Sequence, residues 1–342
     1  MNCTFDPKLD QVHSLPAIHS WPDSRHRFDE ASVWAIRAAL ITGRPLLVRG
    51  EAGIGKSQLA RAAAYVLNVP FLYHVIQARC EPTDLLYTYD AVSRLAQAQV
   101  LGAPGQAEGW AAKLAEDRFF RPGPLWWSFD WLGARQQAKR ACRNPRCAEQ
   151  QDTCCGTCGE PFRPPGWQPA QGCVVLIDEI DKAEADLPNG LLESLGNCGF
   201  QVPQIGRVVT LPPGARPPLV VVTTNEEREL PAAFLRRCLV LQMSLGRGEP
   251  EQRQFLRHRA RDHFLSETIS DEVLEEAITQ LLEDRADAPR LGPAKPGATE
   301  LLDLLKVLAE VALGAETEQA QRKVLATVRP FAFRKNVEEL QP

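Results

Sequence analysis

Gly50-Glu51-Ala52-Gly53-Ile54-Gly55-Lys56-Ser57 is the stretch whose reading decides the fold. It fits the pattern G-x-x-x-x-G-K-[ST] at every fixed position. Before it, Pro45-Leu46-Leu47-Val48-Arg49 is a short apolar run with the character of a buried strand. After it, Gln58 to Leu67 is rich in Ala and Leu and forms a helix. Strand, glycine loop and helix in that order make a phosphate site. The glycines let the backbone curl so that its N–H groups face an anion. The new helix adds its unpaired N–H groups and the positive end of its dipole. In this pattern Lys56 reaches the β- and γ-phosphates and Ser57 ligates Mg²⁺. A glycine turn ahead of an ordinary core helix is the plain alternative. Three glycines, the Lys-Ser pair and both flanks together argue against it.

A second stretch carries chemistry. Cys173-Val174-Val175-Leu176-Ile177 reads as a strand buried on both faces, as in a parallel sheet. It ends in Asp178-Glu179, two carboxylates at the C-terminal tip, where open α/β sheets bind ligands. Asp178 is placed to hold Mg²⁺, directly or through water, and Glu179 to polarise an attacking water as general base. Leu219 to Thr224 is another buried strand, and Asn225 at its tip could bond a γ-phosphate or orient that water. A turn-forming role is the plain alternative for Asn225. Arg236 and Arg237 close a short helical run before Leu239-Val240-Leu241. One of them could act on a phosphate as an arginine finger. A solvated basic helix end, favoured by the dipole, is the alternative.

Around these strings the chain reads as follows. Residues 1–27 show little periodicity and form a lead-in. Phe28 to Ile41 has helical spacing, and Pro70 to Ile76 reads as a strand. Residues 199–211 alternate around a glycine turn, as a β-hairpin does. From Arg247 the pattern is helical at 249–264, 271–285 and 298–313, with a Pro/Gly-rich break at 288–293. A nucleotide-binding domain over 28–245 followed by a small helical domain over 246–342 is the expected division.

Residues 103–170 read as an insertion into the α/β unit. They hold Trp110, Trp126, Trp127, Trp131 and Trp167, five of the seven tryptophans. These form either an exposed docking surface or an aromatic plug for the insertion's own core. Five of the ten cysteines fall in 142–158. Cys142-x₄-Cys147 and Cys155-x₂-Cys158 could close a tetrahedral zinc site at about 2.3 Å per thiolate. Such a structural Zn²⁺ would fold a segment too small for a core of its own. Free thiols in a loop are the alternative.

The 342 residues carry 39 basic and 43 acidic side chains, a net charge of −4, and 44% are hydrophobic. A sizeable core is expected, and the charge offers no argument for a nucleic-acid or anionic-membrane partner. No apolar run approaches the roughly 20 residues of a membrane helix. The start of the sequence lacks signal-peptide character, so a cytoplasmic location is expected.

Taken together, these strings resemble the AAA+ ATPases, and among them the MoxR-like group. The residues that carry the likeness are Gly50–Ser57, Leu176 to Ala183, the hairpin at 199–211, Thr223 to Pro231, and Ala233 to Cys238. The resemblance implies a P-loop NTPase fold: a three-layer α/β/α domain with a parallel sheet, a small C-terminal all-α lid and the Cys/Trp-rich insertion. It implies that Gly50–Ser57 is Walker A, Asp178 and Glu179 Walker B, Asn225 sensor 1, and Arg236 or Arg237 the finger reaching ATP in a neighbouring subunit. It implies Mg·ATP hydrolysis, a hexameric ring, and remodelling or assembly of a protein client, often a von Willebrand factor A-domain protein. A nucleic-acid motor or loader, and a regulatory ATP switch with little turnover, stand as alternatives. One departure is visible. Many relatives have an arginine at the head of the lid helix that starts near Ala298, where Thr299-Glu300 stands here. Either Arg290 or Lys295 substitutes, or the lid senses nucleotide weakly.

Overall fold

A computed structural model of the protein describes residues 5–9, 11–18, 20–101, 114–142, 159–291, 295–311 and 317–333. The strands, in chain order, are β1 Val12–Leu15, β2 Ser24–Arg27, β3 Leu46–Arg49, β4 Phe71–Val75, β5 Tyr87–Tyr89, β6 Phe120–Pro122, β7 Val174–Asp178, β8 Gly199–Val202, β9 Arg207–Thr210, β10 Leu219–Thr224 and β11 Leu239–Gln242. The chain forms two compact units. One takes the residues up to Asp6, Glu30–Val48 and Ala60–Leu241; the other takes Pro7–Asp29, Arg49–Leu59 and the chain from Gln242.

The first unit is built on a five-stranded sheet in the order β11-β3-β10-β7-β4. Its centre is parallel: Val174 lies opposite Leu219 on one side and Phe71 on the other. The sequence explains this. Val174 to Ile177 and Leu219 to Val222 are apolar at every position, and all eight are buried. A strand apolar on both faces needs cover on both, which a central parallel strand receives. The helix Glu30–Thr42 packs on β10.

The described part of the insertion packs into this unit. β5 and β6 pair antiparallel, and two helices follow at Pro124–Phe129 and Trp131–Ala141. Pro124 opens the first helix, where its missing N–H costs nothing, and Asp130 caps the second by accepting from the Gly133 N–H at 2.8 Å. Trp126, Trp127, Trp131 and Trp167 are all buried, so these four form an aromatic plug rather than an exposed docking surface. Trp131 meets Trp127 and Trp167 edge-on, with centroids 5.1 and 4.6 Å apart. Trp110 lies outside the described residues. The hairpin β8–β9 forms as its alternation requires. Its Phe200 packs on Trp126, and Arg207 lies 5.3 Å from the Trp126 ring while bonding Asp130.

The second unit is largely helical, with helices Glu249–His263, Asp271–Leu291, Ala298–Val311 and Thr317–Ala332. The second runs through Leu291, past the break expected at 288. Leu256, Val273, Leu281, Leu301, Leu308 and Leu325 form the core, and Ile54 of the glycine loop is part of it. Residues 12–27, read from sequence as a featureless lead-in, hold the antiparallel pair β1–β2. Arg27 ties that hairpin to the helix Glu249–His263 through Asp262, at 2.5 Å.

Candidate active site

In the first unit the tips of β7 and β10 lie side by side. Asp178 ends β7, and Thr223 of the neighbouring β10 donates its hydroxyl to Asp178 Oδ1 at 2.5 Å. The same Thr223 oxygen accepts the Glu179 N–H at 2.9 Å. Glu179 is held in the left-handed region, with φ +59°, which few non-glycine residues occupy. Such strain persists only where the surroundings enforce it, and it clusters at functional sites. The Glu179 carboxylate is partly exposed and pairs with Lys182 at 2.5 Å.

Asn225 follows β10 as expected. Its N–H donates to Asp181 Oδ2 at 3.1 Å, and the Glu227 N–H donates to the same oxygen at 3.0 Å. Asp181 is 2% exposed. The structure therefore brings Asp178, Glu179 and Asn225 together through Thr223 and Asp181. No sequence string marked those two residues for the task, because each acts on partners more than forty positions away.

Arg236 and Arg237 end the short helix Ala232–Leu235, both exposed. Neither forms an ion pair among the described residues. Arg44 holds this turn from behind by donating to the carbonyls of Arg236, Arg237 and Cys238, at 2.5, 3.1 and 3.0 Å.

The glycine loop belongs to the second unit. Gly50, Gly53 and Gly55 have φ of 148°, 77° and 99°. At Gly50 the need for glycine is also steric, since a Cβ would stand 2.4 Å from the Met243 carbonyl oxygen. Lys56, 6% exposed, donates its ammonium to the carbonyls of Gly50 and Glu51 at 2.7 and 2.8 Å. The loop is thus curled around the lysine, and Ser57 sits in the first turn of the helix Lys56–Leu67. A buried cation, glycines in the left-handed region and a fresh helix N-terminus make a cradle fitted to phosphate oxygens.

Residues of the C-terminal helices meet this cradle. Thr299 donates to the Gly53 carbonyl at 3.1 Å, and Glu300 accepts the Gly297 N–H at 2.9 Å. Arg285 pairs with Glu51 and donates to Pro296 O at 3.0 Å. Arg259 donates to the Ile54 carbonyl at 3.2 Å. Of the two residues considered as lid substitutes, Lys295 is exposed and the Arg290 side chain lies outside the described residues.

Of the zinc candidates, Cys142 is half-buried, and Cys147, Cys155 and Cys158 lie outside the described residues. Among the described residues no group of three or more His, Cys, Asp or Glu is placed to hold a metal ion. No helix among them is long and apolar enough to cross a membrane.

A glycine loop curled on a buried lysine, together with a parallel sheet in which one strand ends at Asp178 followed by Glu179, defines a P-loop nucleotide-binding domain. More narrowly, the chain belongs to the AAA domain family, dynein-related subfamily, whose model matches residues 45–238. No curated protein matches the chain. Among solved structures it is similar to a candidate ATPase from Cytophaga hutchinsonii at 14% identity, covering 87% of this chain and 78% of that one. The TM-score of 0.37 is too low to carry an argument.

Proposed function

We propose that the protein is an ATP-hydrolysing ring protein of the MoxR-like kind that remodels or assembles a protein partner. The observation that carries this is the pinned Asp178-Glu179 tip, with Thr223 bonding both residues. A glutamate held in the left-handed region beside the metal-type aspartate supports turnover over binding alone.

In this reading Lys56 releases the Gly50 and Glu51 carbonyls and meets the β- and γ-phosphates. Ser57 and Asp178, both hard oxygen donors, would hold Mg²⁺, which would supply charge neutralisation at the phosphate oxygens. Glu179 accepts the proton of the attacking water, and Asn225 orients that water. Arg236 or Arg237 of an adjacent subunit stabilises the charge of the transition state. The work is positioning and electrostatics, in a hexameric ring in the cytoplasm, with a von Willebrand factor A-domain protein as one client class. A structural zinc on Cys142, Cys147, Cys155 and Cys158 belongs to the same reading, and the metal content of purified protein decides it.

Glu179→Gln tests the function. The variant should bind ATP and lose turnover by at least about 10², the share of a positioned general base. It should also retain its client, so the trapped assembly reports the class of partner. Captured DNA or RNA would turn the reading to a nucleic-acid motor. Unchanged phosphate release would remove Glu179 from the chemistry.

A further inference from the structure

We propose that Arg259, on the first lid helix Glu249–His263, is the lid cation that contacts the polyphosphate of bound nucleotide. The inference rests on the reading that the glycine loop binds a nucleoside triphosphate.

Three observations lead to it. The head of the helix Ala298–Val311 brings a hydroxyl and a carboxylate to the loop, Thr299 and Glu300, and no cation. Two arginines from the other lid helices do reach the loop. Arg285 is already neutralised by Glu51. Arg259 has only a carbonyl, Ile54 O, and no ion pair among the described residues. The nearest acid on its own helix, Asp262, is taken by Arg27 through both Nε and Nη2.

The approach is close enough to constrain the loop. A Cβ on Gly55 would stand 2.6 Å from Arg259 Nη2. Gly55 therefore serves two ends, its left-handed backbone and the space its missing side chain leaves for a guanidinium. The Arg259 guanidinium also lies over the Phe255 ring, 5.8 Å from its centroid. A half-buried guanidinium with no ion pair among the described residues is unfavourable, and burial pulls its pKa down, with Asp262 and Asp29 partly offsetting this. A polyphosphate in the cradle would supply the missing negative charge. Arginine suits that task, since one N–H binds Ile54 O and the rest of its fork remains for phosphate oxygens.

The test compares wild type, Arg259→Gln and Arg259→Lys in the full chain, with binding of ATP, ADP and AMP measured by calorimetry and melting followed without nucleotide. Loss of a charge-assisted bond to phosphate should weaken ATP binding by about ten-fold or more. AMP should lose little, and Arg259→Lys should fall between. Without nucleotide, Arg259→Gln should melt no lower than wild type, because it removes an uncompensated charge. Equal affinity losses for ATP and AMP, or unchanged ATP affinity, overturn the inference. A lower melting temperature without nucleotide makes Arg259 a structural residue and also overturns it. If wild type and Lys56→Ala both fail to bind ATP, the phosphate reading itself falls.

Discussion

Asp181 shows what a single residue does for this site. One of its carboxylate oxygens takes two backbone N–H groups, Asn225 and Glu227, and so fixes the loop that carries Asn225. Its other oxygen, Oδ1, has no partner among the described residues. Asp181→Ala would leave two loop N–H groups without their acceptor, at about 1–3 kcal/mol for a buried unsatisfied group. Asp181→Asn keeps one carbonyl oxygen, which can take both bonds, and should retain most of that stability. Urea denaturation of the two variants checks this, and an alanine variant as stable as wild type would contradict it. The same residues show what could be read beforehand. Gly50–Ser57 and Asp178-Glu179 are contiguous strings whose chemistry is local, so pattern alone makes them legible. Thr223, Asp181 and Arg44 act through bonds spanning 44 to 194 positions, and Arg259 reaches the loop across 205. No window of sequence contains such a pair. For the same reason the sequence near Ala298 points to Arg290 or Lys295, and not to Arg259.

Elements were legible in proportion to their burial on two faces or one. The central strands are uniformly apolar and stood out; the lid helices have a clear stripe. The hairpin β1–β2 did not, because Ser24-Arg25-His26-Arg27 is polar throughout and its one fully buried side chain is His26. That histidine packs edge-on to Phe28, with centroids 4.7 Å apart. Both of its ring nitrogens lack partners among the described residues. Burial, with Arg259 and His13 adding positive charge nearby, pushes its pKa down to about 3. An unfolded histidine titrates near 6.5. The folded hairpin therefore keeps His26 neutral while the unfolded chain takes up a proton. Its contribution to stability is complete above pH 6.5 and falls with acidification down to about pH 3, at about 1.4 kcal/mol per pH unit. His26→Phe should remove this dependence. His13 and His263, also lowered by burial, keep theirs, so the readout is the difference between the two proteins. Denaturation at pH 7.5, 6 and 5 should show wild type losing ground to the variant; parallel curves would show that His26 does not titrate between the states.

At the scale of the whole molecule the open question is where the transition-state charge is met. The chain presents Arg236 and Arg237 at the exposed end of a four-residue helix, backed by Arg44, which binds the carbonyls and leaves both guanidinium groups outward. Arg44 ties down the turn through backbone carbonyls and leaves both charges without an ion pair among the described residues. If one arginine is the finger, its alanine variant should lose about 10³ or more in turnover while ATP affinity changes little. The alanine variant of the other should keep near-normal rates. Mixing then separates action within a chain from action between chains. A finger variant has an intact Glu179 and no finger; Glu179→Gln has an intact finger and no base. Neither hydrolyses ATP alone. In a mixed ring, the site of a finger-variant subunit meets the arginine of a Glu179→Gln neighbour, and that interface is complete. Phosphate release should therefore recover when the two inactive proteins are combined and allowed to exchange subunits. If co-assembly is demonstrated and no activity returns, the arginine serves its own chain, and the ring is not what completes the site.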